Sequence, residues 1–311
     1  MLLVLPGVAE AKHDKSDDGS ATKGVAPRIG TVLFNGRATH VGSLSSYETS
    51  SGDINTLVQS QSPKLWDGLN FLNNDIQVVP DSRYGHVYSI RAGVGSHNPY
   101  YDPGPGVAAS ELSRGRDNDL GKWDWFAGGF KINSGLTGPG WVMLYQFGYP
   151  TLSSPPLALQ LVKRHGRLNY GLLQNAGELT KNSSGFYRGT VLANTPLTPV
   201  PYGKWVDFVI GVKWETGSTG DLRVYARVEG QRGYKLLFKR SKLPTWQYGT
   251  TPYGSVGANG TNSSGQQVRV IDHGGLYFGY WDQRKSFPTE SIFETGMTRS
   301  SSYGAAVSTL P

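Results

Sequence analysis

Gly275-Leu276-Tyr277-Phe278-Gly279-Tyr280-Trp281-Asp282-Gln283 sets four aromatic rings in five consecutive positions and closes on a carboxylate and an amide. Read at period two, Leu276, Phe278 and Tyr280 share one face of a strand, and Tyr277, Gly279 and Trp281 share the other. Rings on both faces fit a strand with a core behind it and a groove before it. Such a groove suits sugars: rings stack on pyranose faces, while amides and carboxylates hydrogen-bond to hydroxyls. Aromatics are enriched in strands anyway, so a central strand with every ring buried reads equally well.

Working outward, short alternating segments separated by Gly, Pro, Asn and Asp continue through residues 28–311, with no long helical period and no internal repeat. Residues 85–94 alternate, with His86, Tyr88, Ile90 and Ala92 on one face. Strands are expected at 123–133, 141–149, 157–162 and 167–173, the last two joined across Lys163-Arg164-His165-Gly166 as a four-residue hairpin connection. Residues 205–214 turn Val206, Phe208, Ile210, Val212 and Trp214 toward a core, and 222–229 and 234–240 extend a meander. Residues 241–268 are rich in Gly, Ser, Thr and Asn and read as a long loop. A last strand follows at 292–297. Strands at this spacing indicate an all-β sandwich or barrel built as a single domain over 28–311.

Composition excludes several classes. The chain has 311 residues, 42 glycines and 18 prolines with 37% hydrophobic residues, enough for a loop-rich globular core. It has no cysteine, which rules out disulfides, thiolate metal ligands and a thiol nucleophile. Its formal charge of +7 contains no run of like charges that would mark a nucleic-acid tail, but it suits an anionic substrate steered by a basic cleft. Residues 1–11 combine an apolar run with Ala9-Glu10-Ala11, the small-x-small pattern of an export signal that lacks its charged start, and 12–27 read as a flexible leader. No stretch reaches the ~18 apolar residues of a membrane span. The expectation is an exported monomer that needs neither membrane nor nucleic acid.

Several separated segments are similar to the jelly-roll polysaccharide lyases of the heparin-lyase and alginate-lyase type. Ala109-Ser110-Glu111-Leu112-Ser113-Arg114 resembles that family's Arg-Ser-Glu-Leu strand, and Tyr145-Gln146-Phe147-Gly148 resembles its Gln-Ile-His strand. Pro155-Pro156-Leu157-Ala158-Leu159 follows at the usual distance. Residues 205–227 resemble the next strand pair, and 275–283 the Tyr-Phe-Lys-x-Gly-x-Tyr-Asn-Gln strand. The resemblance implies a concanavalin A-like jelly-roll sandwich whose concave sheet holds an anionic polysaccharide and cleaves it by β-elimination. It requires no cofactor and leaves room for a structural calcium ion. Three positions depart from the family pattern: Ala109 replaces its arginine, Gly148 its histidine, and Trp281 its tyrosine, with Tyr280 one position earlier.

Elimination from a uronate needs a group that neutralises the carboxylate, a base for the C5 proton and an acid for the oxygen leaving C4. The candidates for catalysis are Gln146 and Arg114 toward the carboxylate, Tyr280 as the base and His97 as a displaced imidazole. Tyr277 is a second candidate phenol. The substrate-binding candidates are Glu111, Tyr277, Trp281, Gln283 and Arg91, with Glu111 orienting a neighbour rather than taking a proton. His273, just before the aromatic strand, reads either as a groove residue or as part of a turn. A non-catalytic, lectin-like module and a glycoside hydrolase on the same sandwich are the alternatives. The Glu-x-Asp-x-x-Glu strand of such hydrolases is absent, and Glu290 and Glu294 lack its spacing.

Overall fold

The computed structural model describes residues 30–35, 37–38, 76–94, 96, 106–115, 120–133, 136, 139–148, 154–181, 183, 187–252, 254–265 and 271–311. The expectations for residues 1–27 and for His97 lie outside these. In chain order the strands are β1 (Val32–Asn35), β2 (Ile76–Asp81), β3 (Gly85–Ala92), β4 (Val107–Gly115), β5 (Trp123–Lys131), β6 (Trp141–Gly148), β7 (Leu157–Arg164), β8 (Arg167–Lys181) and β9 (Tyr187–Pro199). They continue with β10 (Trp205–Lys213), β11 (Gly220–Val228), β12 (Lys235–Leu243), β13 (Gln247–Thr251), β14 (Gly254–Val256), β15 (Ile271–Gly279), β16 (Glu290–Glu294) and β17 (Thr298–Ser300). A short helix, α1 (Tyr303–Val307), closes the chain.

Two sheets pack face to face. One follows the order β12-β11-β10-β5-β16-β3-β2, with β17 on β5 and β1 on β17. The other follows β14-β13-β8-β7-β6-β15-β4, with β9 on β8. Every described pairing is antiparallel except β13 on β8. Crossings between distant strands, such as β5 beside β10 and β16, and β15 between β4 and β6, make this the jelly-roll sandwich expected from the sequence.

Between the sheets lies one apolar layer. The first sheet contributes Tyr88, Ile90, Phe126, Phe130, Phe208, Ile210, Val212 and Trp214, and the second Val142, Leu144, Phe147, Leu159, Tyr170, Leu172, Leu276 and Phe278. The alternation read at 206–214 is borne out, since all five of those side chains are buried. The intervening positions of β10 are buried too, because a second cluster of Trp125, Trp205, Val209 and Tyr84 covers the outer face of the first sheet under α1. That face is closed. Among the described residues the outer face of the second sheet has no such cover, and polar and aromatic side chains occupy it.

Two sequence expectations change. The 163–166 connection is a two-residue turn: pairing runs up to Arg164 opposite Arg167, and His165 and Gly166 both take positive φ, at 49° and 75°. Residues 241–268 are not one loop. They finish β12 and supply β13 and β14, and Trp246 and Gln247 are fully buried, anchored by bonds from the Gln247 amide to the Asn175 carbonyl (2.7 Å) and the Ser154 carbonyl (2.9 Å). Polar composition concealed this strand because its buried amide carries its own partners.

The closed face holds a buried carboxylate, Asp207, which accepts from Arg83 (2.9 Å), from Arg227 (2.6 Å) and from the Tyr84 hydroxyl. Removing one partner of such a cluster strands the others in a low-dielectric site. Asp207→Ala is expected to cost about 3 kcal/mol in urea unfolding, within the range for broken buried pairs.

Candidate active site

The open face is organised by β15, whose residues 274 and 275 carry no side chain. A Cβ on Gly275, at φ 143°, would lie 2.3 Å from the Ser110 carbonyl oxygen and 2.8 Å from the Glu111 Cα. One on Gly274 would lie 2.6 Å from Glu294 Oε1. The missing side chains let β4 approach β15 and let the register on the other side slip. Against β4 the ladder is regular, with His273 opposite Ser113 and Tyr277 opposite Ala109. Against β6 it shifts between Gly274 and Tyr277, so that His273 faces Gln146 while Tyr277 faces Met143. Without that bulge Met143 and Gln146, three residues apart, would point to opposite faces. With it, both line the groove and Tyr145 turns into the core.

The groove has a volume of about 680 Å³ and crosses β15, β6, β7, β8 and β9. Its wall is aromatic. Trp141 meets Tyr277 edge to face at 4.8 Å and 79°. The Trp141 ring lies over Gly279 and the Trp281 ring over Gly140, at positions where a Cβ would fall 2.5 and 2.3 Å from the respective indoles. Trp281 is 77% exposed, an indole presented to solvent rather than packed. The floor is polar: the Gln146 amide donates to Glu111 Oε1 at 2.8 Å, and the Gln160 amide donates to Asn194 Oδ1 at 2.8 Å. Glu111, Gln146 and His273 are all largely buried. Gln146 keeps a second N–H for a ligand, and Glu111 fixes the plane of its amide.

Beneath the floor, Tyr145 donates to Asp272 at 2.9 Å. Glu294 of β16 reaches the inner side of Gly274, and one of its oxygens has no hydrogen-bond partner. Burial first, and then the charge of Glu111, hold the Glu294 carboxyl well above the ordinary carboxylate range. That shift favours the protonated form of Glu294 under the site.

Of the residues proposed from sequence, Gln146, Glu111, Tyr277 and Trp281 come together on this face. Tyr280 does not. It is on the core face with Phe278 and Phe287, it is 4% exposed, and its hydroxyl is buried without a partner. Burial and then the charge of Glu290 raise its pKa, the opposite of what a base requires. Arg91 is exposed on β3, opposite Ser291 in the first sheet, so the sandwich separates it from the groove. Gln283 sits past the strand in a turn at φ 48°, packed against Gly106 and outside the groove lining. Arg114 belongs to β4, where its backbone pairs with Asp272; its side chain is outside the described residues, as is His97.

To the groove residues read from the sequence the structure adds Gln160. Trp141 begins a strand that had been assigned correctly. Gln160 is the lone amide in the apolar run Leu157-Ala158-Leu159-Gln160-Leu161, a signal that could have singled it out. His273 is resolved as a strand residue beside Gln146 rather than part of a turn. Among the described residues no group of three or more acidic or histidine side chains is placed to hold a metal ion, and no helix is long and apolar enough to cross a membrane.

Because Glu294 binds a proton in the folded state that the unfolded chain releases above the ordinary carboxylate pKa of ~4.3, stability should fall as pH rises from there toward the folded pKa. Glu294→Gln removes that dependence. Thermal unfolding from pH 5 to 9 should show the wild type losing ground to the variant as pH rises, with the two changing in parallel if Glu294 were ionised in the fold.

A family model described as polysaccharide lyase matches residues 40–270. No curated protein matches the sequence. Among solved structures, the endo-β-1,4-glucuronan lyase of the fungus Trichoderma reesei is similar with a TM-score of 0.52 at 13% identity, covering 73% of this chain and 87% of that one. The catalytic domain of a GH131 β-glucanase from Podospora anserina gives 0.50 at 11% identity, covering 89% and 100%. An alginate lyase from the marine animal Aplysia kurodai gives 0.45 at 12% identity, covering 73% and 87%. At these identities the likeness is one of fold.

Proposed function

From the premise that the chain belongs to the polysaccharide lyase family, we propose that it cleaves a uronate-containing polysaccharide by β-elimination in the groove of the second sheet, with Gln146, His273 and Tyr277 as its working groups. The observation that carries this assignment is the register of β15 against β6, which pairs His273 with Gln146, a residue that lines the groove. An elimination begins by making the C5 proton acidic. The free N–H of Gln146, held in plane by Glu111, hydrogen-bonds the substrate carboxylate and stabilises the charge that spreads into it as the C5–H bond breaks.

His273 then takes the C5 proton. A neutral imidazole offers one ring nitrogen that can accept a proton, so it can serve as the base. Tyr277 donates its phenolic proton to the oxygen leaving C4. The bond from C4 to that oxygen breaks as the C4–C5 double bond forms. Trp141 and Trp281 stack on flanking sugars and hold the chain along the groove. An anionic polymer as substrate agrees with the chain's net charge of +7, and the similar fold of the Trichoderma glucuronan lyase supports the same substrate class. Such polymers are extracellular, which fits export of the protein from the cell.

The test is near-ultraviolet absorbance of the new double bond when the protein is given alginate, heparin-type glycosaminoglycan and glucuronan. His273→Ala should lower kcat by roughly 10²–10⁴-fold, the usual contribution of one acid–base group, while Tyr280→Phe stays near wild type. New reducing ends without absorbance would mean hydrolysis, and tight binding without either product would mean a non-catalytic module. Loss of activity in Tyr280→Phe with His273→Ala unaffected would overturn the assignment of the base.

A further inference from the structure

The groove does not end at its catalytic floor. Along β7 it runs out to the β7–β8 hairpin, where Lys163 and Arg164 join Trp141 and Trp281 in lining it. The hairpin is held in register to its last pair, Arg164 opposite Arg167, and the positive-φ turn at His165 and Gly166 reverses the chain in two residues. Its tip is therefore a short, stiff projection. All five residues from Lys163 to Arg167 are exposed. Among the described residues none of the three cationic side chains has an ion pair or side-chain hydrogen bond. Like charges directly opposite across a ladder are destabilising, so the unneutralised Arg164–Arg167 pair works against the turn that presents it.

Resting on the lyase reading above, we infer that Lys163 and Arg164 form an anion subsite for a distant carboxylate of the same polysaccharide chain. The register gives its distance. Ala158 of β7 faces Gln146, and Arg164 lies six residues further along the strand, about 20 Å at ~3.3 Å per residue. That span exceeds one sugar and covers several, with the aromatic wall of Trp141 and Trp281 between its two ends. A ligand that touches both ends is a polymer bearing repeated negative charges. A short acidic oligomer reaches the catalytic floor without reaching the hairpin, and a neutral glucan reaches the hairpin without pairing there. The site thus selects for length and charge together, through binding rather than chemistry, since neither cation is near the reacting carbons.

The experiment uses the whole protein with Lys163→Ser and Arg164→Ser combined, two exposed changes that leave the turn residues intact. Initial rates of double-bond formation are measured on long polyglucuronate and on its short oligomers, at low and high salt. Calorimetric titrations with long polyglucuronate and with a neutral β-glucan run alongside. The expected result is a KM for the long polymer raised roughly tenfold, the loss of two charge-assisted contacts, with kcat unchanged, oligomer kinetics unchanged and a shallower salt dependence. Equal effects on long and short substrates, a fall in kcat at constant KM, or an unchanged KM on the long polymer would each overturn the subsite. If the wild type yields no absorbance from any polymer, the lyase reading fails on its own, and calorimetry still decides the subsite: weaker binding of polyglucuronate by the variant, with the neutral glucan unaffected, supports it, and equal binding by both proteins refutes it.

Discussion

The path of β15 depends on two consecutive residues having no side chain. Gly275 sits at a φ of 143° that other residues rarely adopt, with the Glu111 backbone where its Cβ would be, and Gly274 leaves room for the carboxyl of Glu294. The bulge that follows is what reconciles two incompatible demands on β6. Tyr145 and Phe147 have to fill the core, yet Met143 and Gln146 have to face the groove, and period-two alternation alone cannot satisfy both sets. A side chain at either glycine would push the strands apart or force the register back, and the amide of Gln146 would no longer stand beside His273. The chemistry of the face thus rests on a steric fact about the backbone.

The two outer faces of the sandwich show why only one of them carries a site. On the first sheet, Trp125, Trp205, Val209 and the C-terminal helix form a second apolar layer, and beneath it Asp207 is paired with Arg83 and Arg227. On the second sheet, no element of the described residues folds back over β6, β7 and β8, and the side chains that face outward include amides and aromatic rings. Burying a core requires only the inner faces; the polar residues kept on this outer face, down to an amide such as Gln146 pinned by a carboxylate, are explained by what binds there.

Much of the fold was legible because strand period and core burial are the same signal. Residues 206–214 alternate and are buried as read, and the aromatic strand has the faces its spacing implied, with Leu276, Phe278 and Tyr280 inward and Tyr277 and Trp281 outward. That same alternation argued against Tyr280 as a groove residue. Its position next to the family's tyrosine outweighed the face it occupies, and proximity in sequence proved a poorer guide than parity. The slip at Gly274 could not be read, because a bulge depends on the partner strand and β6 is more than a hundred residues away in sequence. Trp246 and Gln247 were concealed for a different reason: a buried amide with satisfied bonds resembles loop composition until its partners are known.

The departures from the family pattern look damaging position by position and less so on the folded sheet. Gly148 lacks the imidazole expected after Gln146, yet its cross-strand partner is Ile271, and His273 is the diagonal neighbour on the same face. Trp281 lacks a phenol, yet Tyr277 stands on the same strand face and lines the same groove. A sheet offers each groove position several backbone attachment points within side-chain reach, so a functional group can be supplied from the next strand without moving the reacting atoms far. That Gln146 keeps both its place and its bond to Glu111 fits this account, since an amide that must lie in one plane against a carboxylate depends on its particular neighbour in a way that a base on a longer tether does not.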